Sequence, residues 1–151
     1  MSYQRTAARL GRQVFGALLA AFLVCALAVS HASEKKGIGL GNRNDPSRIE
    51  ALNVSWYYNW SPYPTKGAPA NKFVPMVWGG SRLDEHVKAV QRSGKPPIVL
   101  LINEPDNVNQ ANMSGDEVAR IWPTLAALGD KVSSPTPAGS LGPWLERFDK
   151  I

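Results

Sequence analysis

The sequence predicts a parallel α/β architecture, and three observations carry that prediction. Strand-like and helix-like segments alternate from Lys36 to the end of a 151-residue chain, which is the order of a parallel sheet with crossover helices and not of a sandwich or a helical bundle. Ile98-Val99-Leu100-Leu101-Ile102 is an unbroken apolar run, the composition of a strand buried on both faces. Ser114 and Glu117 then form an S-x-x-E capping box ahead of an apolar stripe, so a helix opens soon after that strand.

The folded part is expected to start at Ser33. Arg5, Arg9 and Arg12 make a basic start, Val14 to Val29 carries no charge, and Ser30-His31-Ala32 puts small residues at the −3 and −1 positions of a cleavage site. Residues 1–32 therefore read as a secretory signal peptide cut between Ala32 and Ser33, giving a secreted or periplasmic product with no stable membrane association. The competing reading, an uncleaved anchor, rests on the 16 residues of the apolar run, short of the ~20 that span a bilayer. Use of Cys25 as a lipid acceptor is opposed by bulky Val24 before it and by the apolar residues beyond it. Loss of the leader removes three of the 17 basic residues, leaving 14 against 12 acidic ones. The net charge falls from +5 to +2, and no basic stripe is left to bind nucleic acid. Cys25, the only cysteine, goes as well, so the exported chain has no disulfide, thiol nucleophile or cysteine metal site and must be held by its core.

Along residues 33–151 the first strand is predicted at Gly37 to Leu40, followed by a short helix that Asp45 caps, Pro46 opens and Leu52 ends. Val54 to Trp60 is β-branched and aromatic, hence a second strand, and the Pro- and Gly-rich Ser61 to Pro69 is a loop. A third strand runs from Lys72 to Trp78 and stops at Gly79-Gly80. Ser81 is expected to cap the next helix, whose Leu83, Val87 and Val90 form one stripe ending near Gly94. After the fourth strand and the capping box, Val118, Ile121, Trp122, Leu125 and Leu128 line a helix that Gly129 stops, with Pro123 inside the stripe as the place for a kink. Lys131 to Ser134 makes a fifth strand, Pro135 to Gly139 a loop, and Leu141 to Phe148 a fifth helix.

Chemistry concentrates at Asn103-Glu104, directly after the fourth strand. The C-terminal edge of a parallel sheet is where βα loops converge, and a carboxylate beside an apolar strand is partly desolvated, which favours the protonated form that a general acid must hold. Glu104 can instead cap the loop or pair with an arginine. Trp60 and Trp78 end the second and third strands on the same edge, where indole rings stack on the apolar faces of sugars, unless they turn into the core. Trp56 and Trp122 read as core, and His86, in the polar Asp84-Glu85-His86, as a solvated residue. With that single histidine and no cysteine in the mature chain, no metal or other cofactor is assigned. Asp106-Asn107-Val108-Asn109-Gln110 departs from an EF-hand loop at its third position and lacks the glycine that such a loop needs, and Asp106 reads as a loop-ordering residue.

Trp56-Tyr57-Tyr58-Asn59-Trp60-Ser61-Pro62, Phe73-Val74-Pro75-Met76-Val77-Trp78-Gly79, Asn103-Glu104-Pro105-Asp106 with Gln110-Ala111-Asn112-Met113-Ser114, and Ser134-Pro135 resemble the successive strand-end motifs of glycoside hydrolase family 128. The resemblance runs from about Lys36 to Ile151 and implies a secreted, retaining endo-β-1,3-glucanase on a (β/α)8 TIM barrel, of which strands one to five, the N-terminal half to five-eighths, are encoded here. It implies that Glu104 is the general acid/base, that Asn103 contacts the sugar at the scissile position, and that Tyr58, Trp60 and Trp78 line a groove for a β-glucan polysaccharide. The family's nucleophile is a glutamate closing the seventh strand, so no residue of this sequence takes that role and the chain is expected to be inactive alone. The contrasting expectation is a non-catalytic or vestigial carbohydrate-binding protein. A partial barrel would also leave two sheet edges open to self-association.

Overall fold

The computed structural model describes residues 33–41, 45–139 and 142–150. The leader with Ala32 lies outside these residues, whereas Ser33 is tied to the fold by its carbonyl, which accepts from Ser55 Oγ at 2.9 Å. The order is β1 (Gly37–Gly39), α1 (Arg48–Ala51), β2 (Trp56–Tyr58), a 3-10 turn (Ala70–Lys72), β3 (Met76–Val77), α2 (Leu83–Arg92), β4 (Ile98–Leu101), α3 (Gly115–Ala126), β5 (Lys131–Val132) and α4 (Pro143–Asp149). β1 pairs with β2, and β4 with both β3 and β5, all in parallel. A parallel bridge between Tyr57 and Phe73 links the two groups, so spatial order follows chain order. Among the described residues β1 and β5 each have a strand on one side only, and no helix is long and apolar enough to cross a membrane.

The register sorts side chains onto two faces. Ile38, Tyr57, Val77, Val99, Leu101 and Val132 occupy corresponding positions and pack in the two apolar clusters beneath the helices. Gly37, Gly39, Trp56, Tyr58, Met76, Ile98 and Leu100 take the other face. Burial on that face is uneven, with Met76 buried, Leu100 half-buried and Ile98 45% exposed, so the expectation that the fourth strand is buried on both faces fails at Ile98, whereas Val99 and Leu101 are fully buried. Gly37 and Gly39 leave room there for aromatic rings, since an added Cβ would meet the Trp56 indole at 2.1 Å and Trp60 Cη2 at 2.9 Å.

Several elements end earlier than their composition suggests. β3 is cut to Met76–Val77 because Pro75 has no N–H for a ladder, although its carbonyl accepts from Leu100 at 2.9 Å. Ser81 does not cap α2. Arg82 holds that position in the left-handed region (φ 55°), placing Ser81 outside the first turn, and its Nε donates to Glu85 at 2.7 Å. Asp45 accepts from Ser47 N–H at 2.9 Å but stands before the residue that caps α1. Gly129 does not stop α3, which ends at Ala126. It lies where a Cβ would press on Val99 Cγ2 and the Lys131 carbonyl at 2.9 Å, so its smallness serves close packing under β4. The capping box does form: Ser114 Oγ accepts from Glu117 N–H at 3.2 Å, and Glu117 Oε2 accepts from Ser114 N–H at 2.7 Å. Trp122 meets Phe148 edge to face at 5.0 Å, so α4 docks on α3.

Candidate active site at the C-terminal edge of the sheet

Where β4 ends, the backbone departs from extended geometry at two non-glycine residues. Ile102 has φ 48° and Glu104 φ 45°. A β-branched residue in that region is an outlier that persists only when its surroundings hold it, at a cost on the order of 1–3 kcal/mol. Here every backbone polar group of the three residues is paired. Ile102 N–H donates to Val77 O at 2.9 Å, Asn103 N–H to Trp78 O at 2.8 Å, and Glu104 N–H to Thr136 O at 2.8 Å. In return Ile102 O accepts from Thr136 N–H at 3.0 Å, Asn103 O from Ala111 N–H at 3.3 Å and Glu104 O from Asn107 N–H at 3.1 Å. The turn at Ile102 also breaks strand alternation, so Leu101 and Ile102 both enter the same core.

Glu104 is half-buried, and its Oε2 accepts from Asn107 Nδ2 at 3.0 Å. Asn103, half-buried beside it, donates from Nδ2 to Gln110 Oε1 at 3.2 Å. Asp106 crosses to the loop after β5, where its carboxylate accepts from Ala138 N–H at 2.7 Å and Gly139 N–H at 3.1 Å. The Ala138 N–H chiefly, helped by that of Gly139, holds this carboxyl below the usual carboxylate range. The loops after β4 and β5 are thus joined at Thr136 and again at Asp106.

The sequence placed Tyr58, Trp60 and Trp78 on this edge, and the structure has Tyr58 closing β2, Trp60 just beyond it and Trp78 following β3. Trp60 is 40% exposed at φ 57°, with its ring 4.6 Å from that of Tyr58. Tyr58 and Trp78 are half-buried, and so is Trp56, which the sequence had assigned to the core. His86 is not solvated as expected: it is half-buried, its Nδ1 has no partner, and burial pushes its imidazole below the ordinary value. Among the described residues no group of three or more His, Cys, Asp or Glu side chains could hold a metal ion. Sequence reasoning passed over Asn107, Gln110 and the Thr136 carbonyl. The run of amides from Asn107 to Gln110 was the one visible signal for the first two.

Residues 37–150 match a protein-family model described as the glycosyl hydrolase catalytic core. Among solved structures, a GH128 subgroup I endo-β-1,3-glucanase from Amycolatopsis mediterranei, in complex with laminaritriose, is 32% identical at a TM-score of 0.62, covering 76% of this chain and 50% of that one. A GH128 subgroup II endo-β-1,3-glucanase from Sorangium cellulosum is 29% identical at a TM-score of 0.60, covering 76% and 54%. A GH128 subgroup III curdlan-specific exo-β-1,3-glucanase from Blastomyces gilchristii, in complex with glucose, is 30% identical at a TM-score of 0.55, covering 78% and 55%. The chain therefore spans about half the length of these structures. A comparison with curated proteins finds no match. On the family match and on these parallel strands with their Asn103-Glu104 edge, the chain belongs to the glycosyl hydrolase catalytic core family, with GH128 β-1,3-glucanases as its structural relatives.

Proposed function

We propose that this chain carries the acid/base side of a glycoside hydrolase site acting on β-1,3-glucan, within the first five strands of a TIM barrel. The observation that carries the reading is the placement of Glu104. It is half-buried at the C-terminal end of β4, fixed at every backbone group, on the edge that also bears Tyr58, Trp60 and Trp78. In the proposed step Glu104 gives its proton to the glycosidic oxygen as the C1–O bond breaks and the bonding pair leaves with that oxygen. Asn103 contacts the sugar at C1's own ring, and the aromatic side chains stack on neighbouring sugar faces. A retaining enzyme needs a second carboxylate ~5–5.5 Å away to form the glycosyl-enzyme ester. Asp106 does not serve, because Ala138 and Gly139 occupy its oxygens. On this reading the nucleophile is a carboxylate other than Asp106.

The test is a titration of the chain with laminari-oligosaccharides together with an assay of reducing-sugar release from laminarin. Binding is expected, with hydrolysis no faster than that of Glu104→Gln. A version extended by a second carboxylate should be active and should lose about 10²-fold or more on Glu104→Gln. Hydrolysis by the chain alone, abolished by Glu104→Gln, would show that a carboxylate of this chain or of a second copy completes the pair. Absence of binding would overturn the substrate assignment.

A further inference from the structure

We propose that Asn107 is a positioning residue for Glu104, its side-chain N–H occupying Oε2 so that Oε1 is the atom that gives and takes the proton. The inference deepens the acid/base reading and rests on it for the identity of the reaction, but its geometry stands apart. An asparagine amide has a donor end and an acceptor end, and here a backbone group decides which end faces Glu104. Asn109 N–H donates to Asn107 Oδ1 at 3.0 Å, and an N–H can bond only to the oxygen, so Nδ2 is the end left to meet Glu104 Oε2 at 3.0 Å. The turn that carries Asn107 is itself fixed by Asn107 N–H to Glu104 O at 3.1 Å and Gln110 N–H to Asn107 O at 2.9 Å.

Burial follows the same division. Val108 is 75% exposed, and Asn109 is exposed, whereas Asn107 and Gln110 are half-buried against Glu104 and Asn103. A polar loop would ordinarily turn its amides to water and its valine inward; here Val108 faces out while Asn107 and Gln110 turn in. With a donor already on Oε2, a proton placed there would face the Asn107 N–H, so the protonated form carries its hydrogen on Oε1. Oε1 is then both the acid that protonates a leaving oxygen and the lone pair that later receives a proton from water. In the protonated form a half-turn of the carboxyl would set its hydroxyl against the Asn107 N–H and weaken that bond.

Asn107→Asp separates this role from that of holding the turn. An aspartate keeps an oxygen for Asn109 N–H but presents an acceptor to Oε2. In the full chain, ¹³C NMR of the Glu104 carboxyl, assigned with Glu104→Gln, should show protonation at a pH higher by about one unit or more in Asn107→Asp, because two carboxyls then compete for one proton. Asn107→Ala should shift it less, in the same direction. In the native chain the Asn107 side-chain NH₂ resonances should titrate together with Glu104 and stop doing so in Glu104→Gln. That correlation decides the matter even if a variant fails to fold. A neutron map of the protonated form should place the deuteron on Oε1. Native amide resonances indifferent to Glu104, unchanged titration in Asn107→Asp, or a deuteron on Oε2 would each overturn the proposal. Loss of oligosaccharide binding with these signatures intact would overturn the glucan reading and leave the positioning role standing.

Discussion

Replacing Trp60 by alanine and by glycine separates what its ring does from what its backbone endures. The residue is 40% exposed, and its ring lies 4.6 Å from that of Tyr58, tilted by 56°. What remains covered, about 150 Å² of a tryptophan, is worth at most about 4 kcal/mol at ~25 cal/mol per Å². Trp60→Ala should therefore cost about 2–4 kcal/mol of folding stability. At φ 57°, however, alanine still bears the left-handed penalty of about 1–2 kcal/mol that glycine escapes. Elsewhere in a strand glycine is about 0.5–1 kcal/mol worse than alanine, but here Trp60→Gly should be the more stable variant by about 1 kcal/mol. Urea unfolding with unchanged m-values measures this difference. If the ring is a sugar platform, both variants should weaken laminari-oligosaccharide binding by about 1–3 kcal/mol, or about 5- to 150-fold in Kd by calorimetric titration. Alanine as stable as glycine would refute the strain argument, and an unchanged Kd in both would remove Trp60 from the groove.

Acid should loosen the loop after β5 first where Asp106 holds it. Its folded carboxyl lies below the usual range, so its contribution is complete above about pH 4 and is lost as pH falls through the folded value. Asp106→Asn should flatten the acid limb of the stability–pH curve below about pH 4, and identical limbs would show that the two N–H bonds do not matter. Export, read from Arg5, Arg9, Arg12, the apolar run and Ser30-His31-Ala32, predicts Ser33 at the N-terminus of protein recovered outside the cytoplasm. Mass spectrometry that finds Met1 instead would refute cleavage.

The order of elements and the position of Asn103-Glu104 at a strand end were legible because their signals are local. Five apolar residues in a row, or a serine three residues before a glutamate, state their structure through immediate neighbours, and β4 and the box at Ser114 form where those residues stand. Local signals misled where a backbone conformation replaced a side-chain cap, as at Arg82 ahead of α2, and where Pro75 shortened β3. The amide run at 107–110 was visible as composition but not as contacts, since polar residues in a loop ordinarily face water.

By itself the sequence determined the parallel α/β alternation, the capped helix after β4 and the carboxylate beyond that strand, all of which follow from residue types within a few positions of one another. Only the tertiary structure decided that Ile102 and Glu104 take left-handed backbones, that Ile98 is exposed, and that Asp106 reaches Ala138 across 32 positions. The left-handed turns depend on Val77, Trp78 and Thr136 arriving beside the end of β4 to accept its hydrogen bonds, and a strained dihedral is worth its cost only once such distant partners are in place.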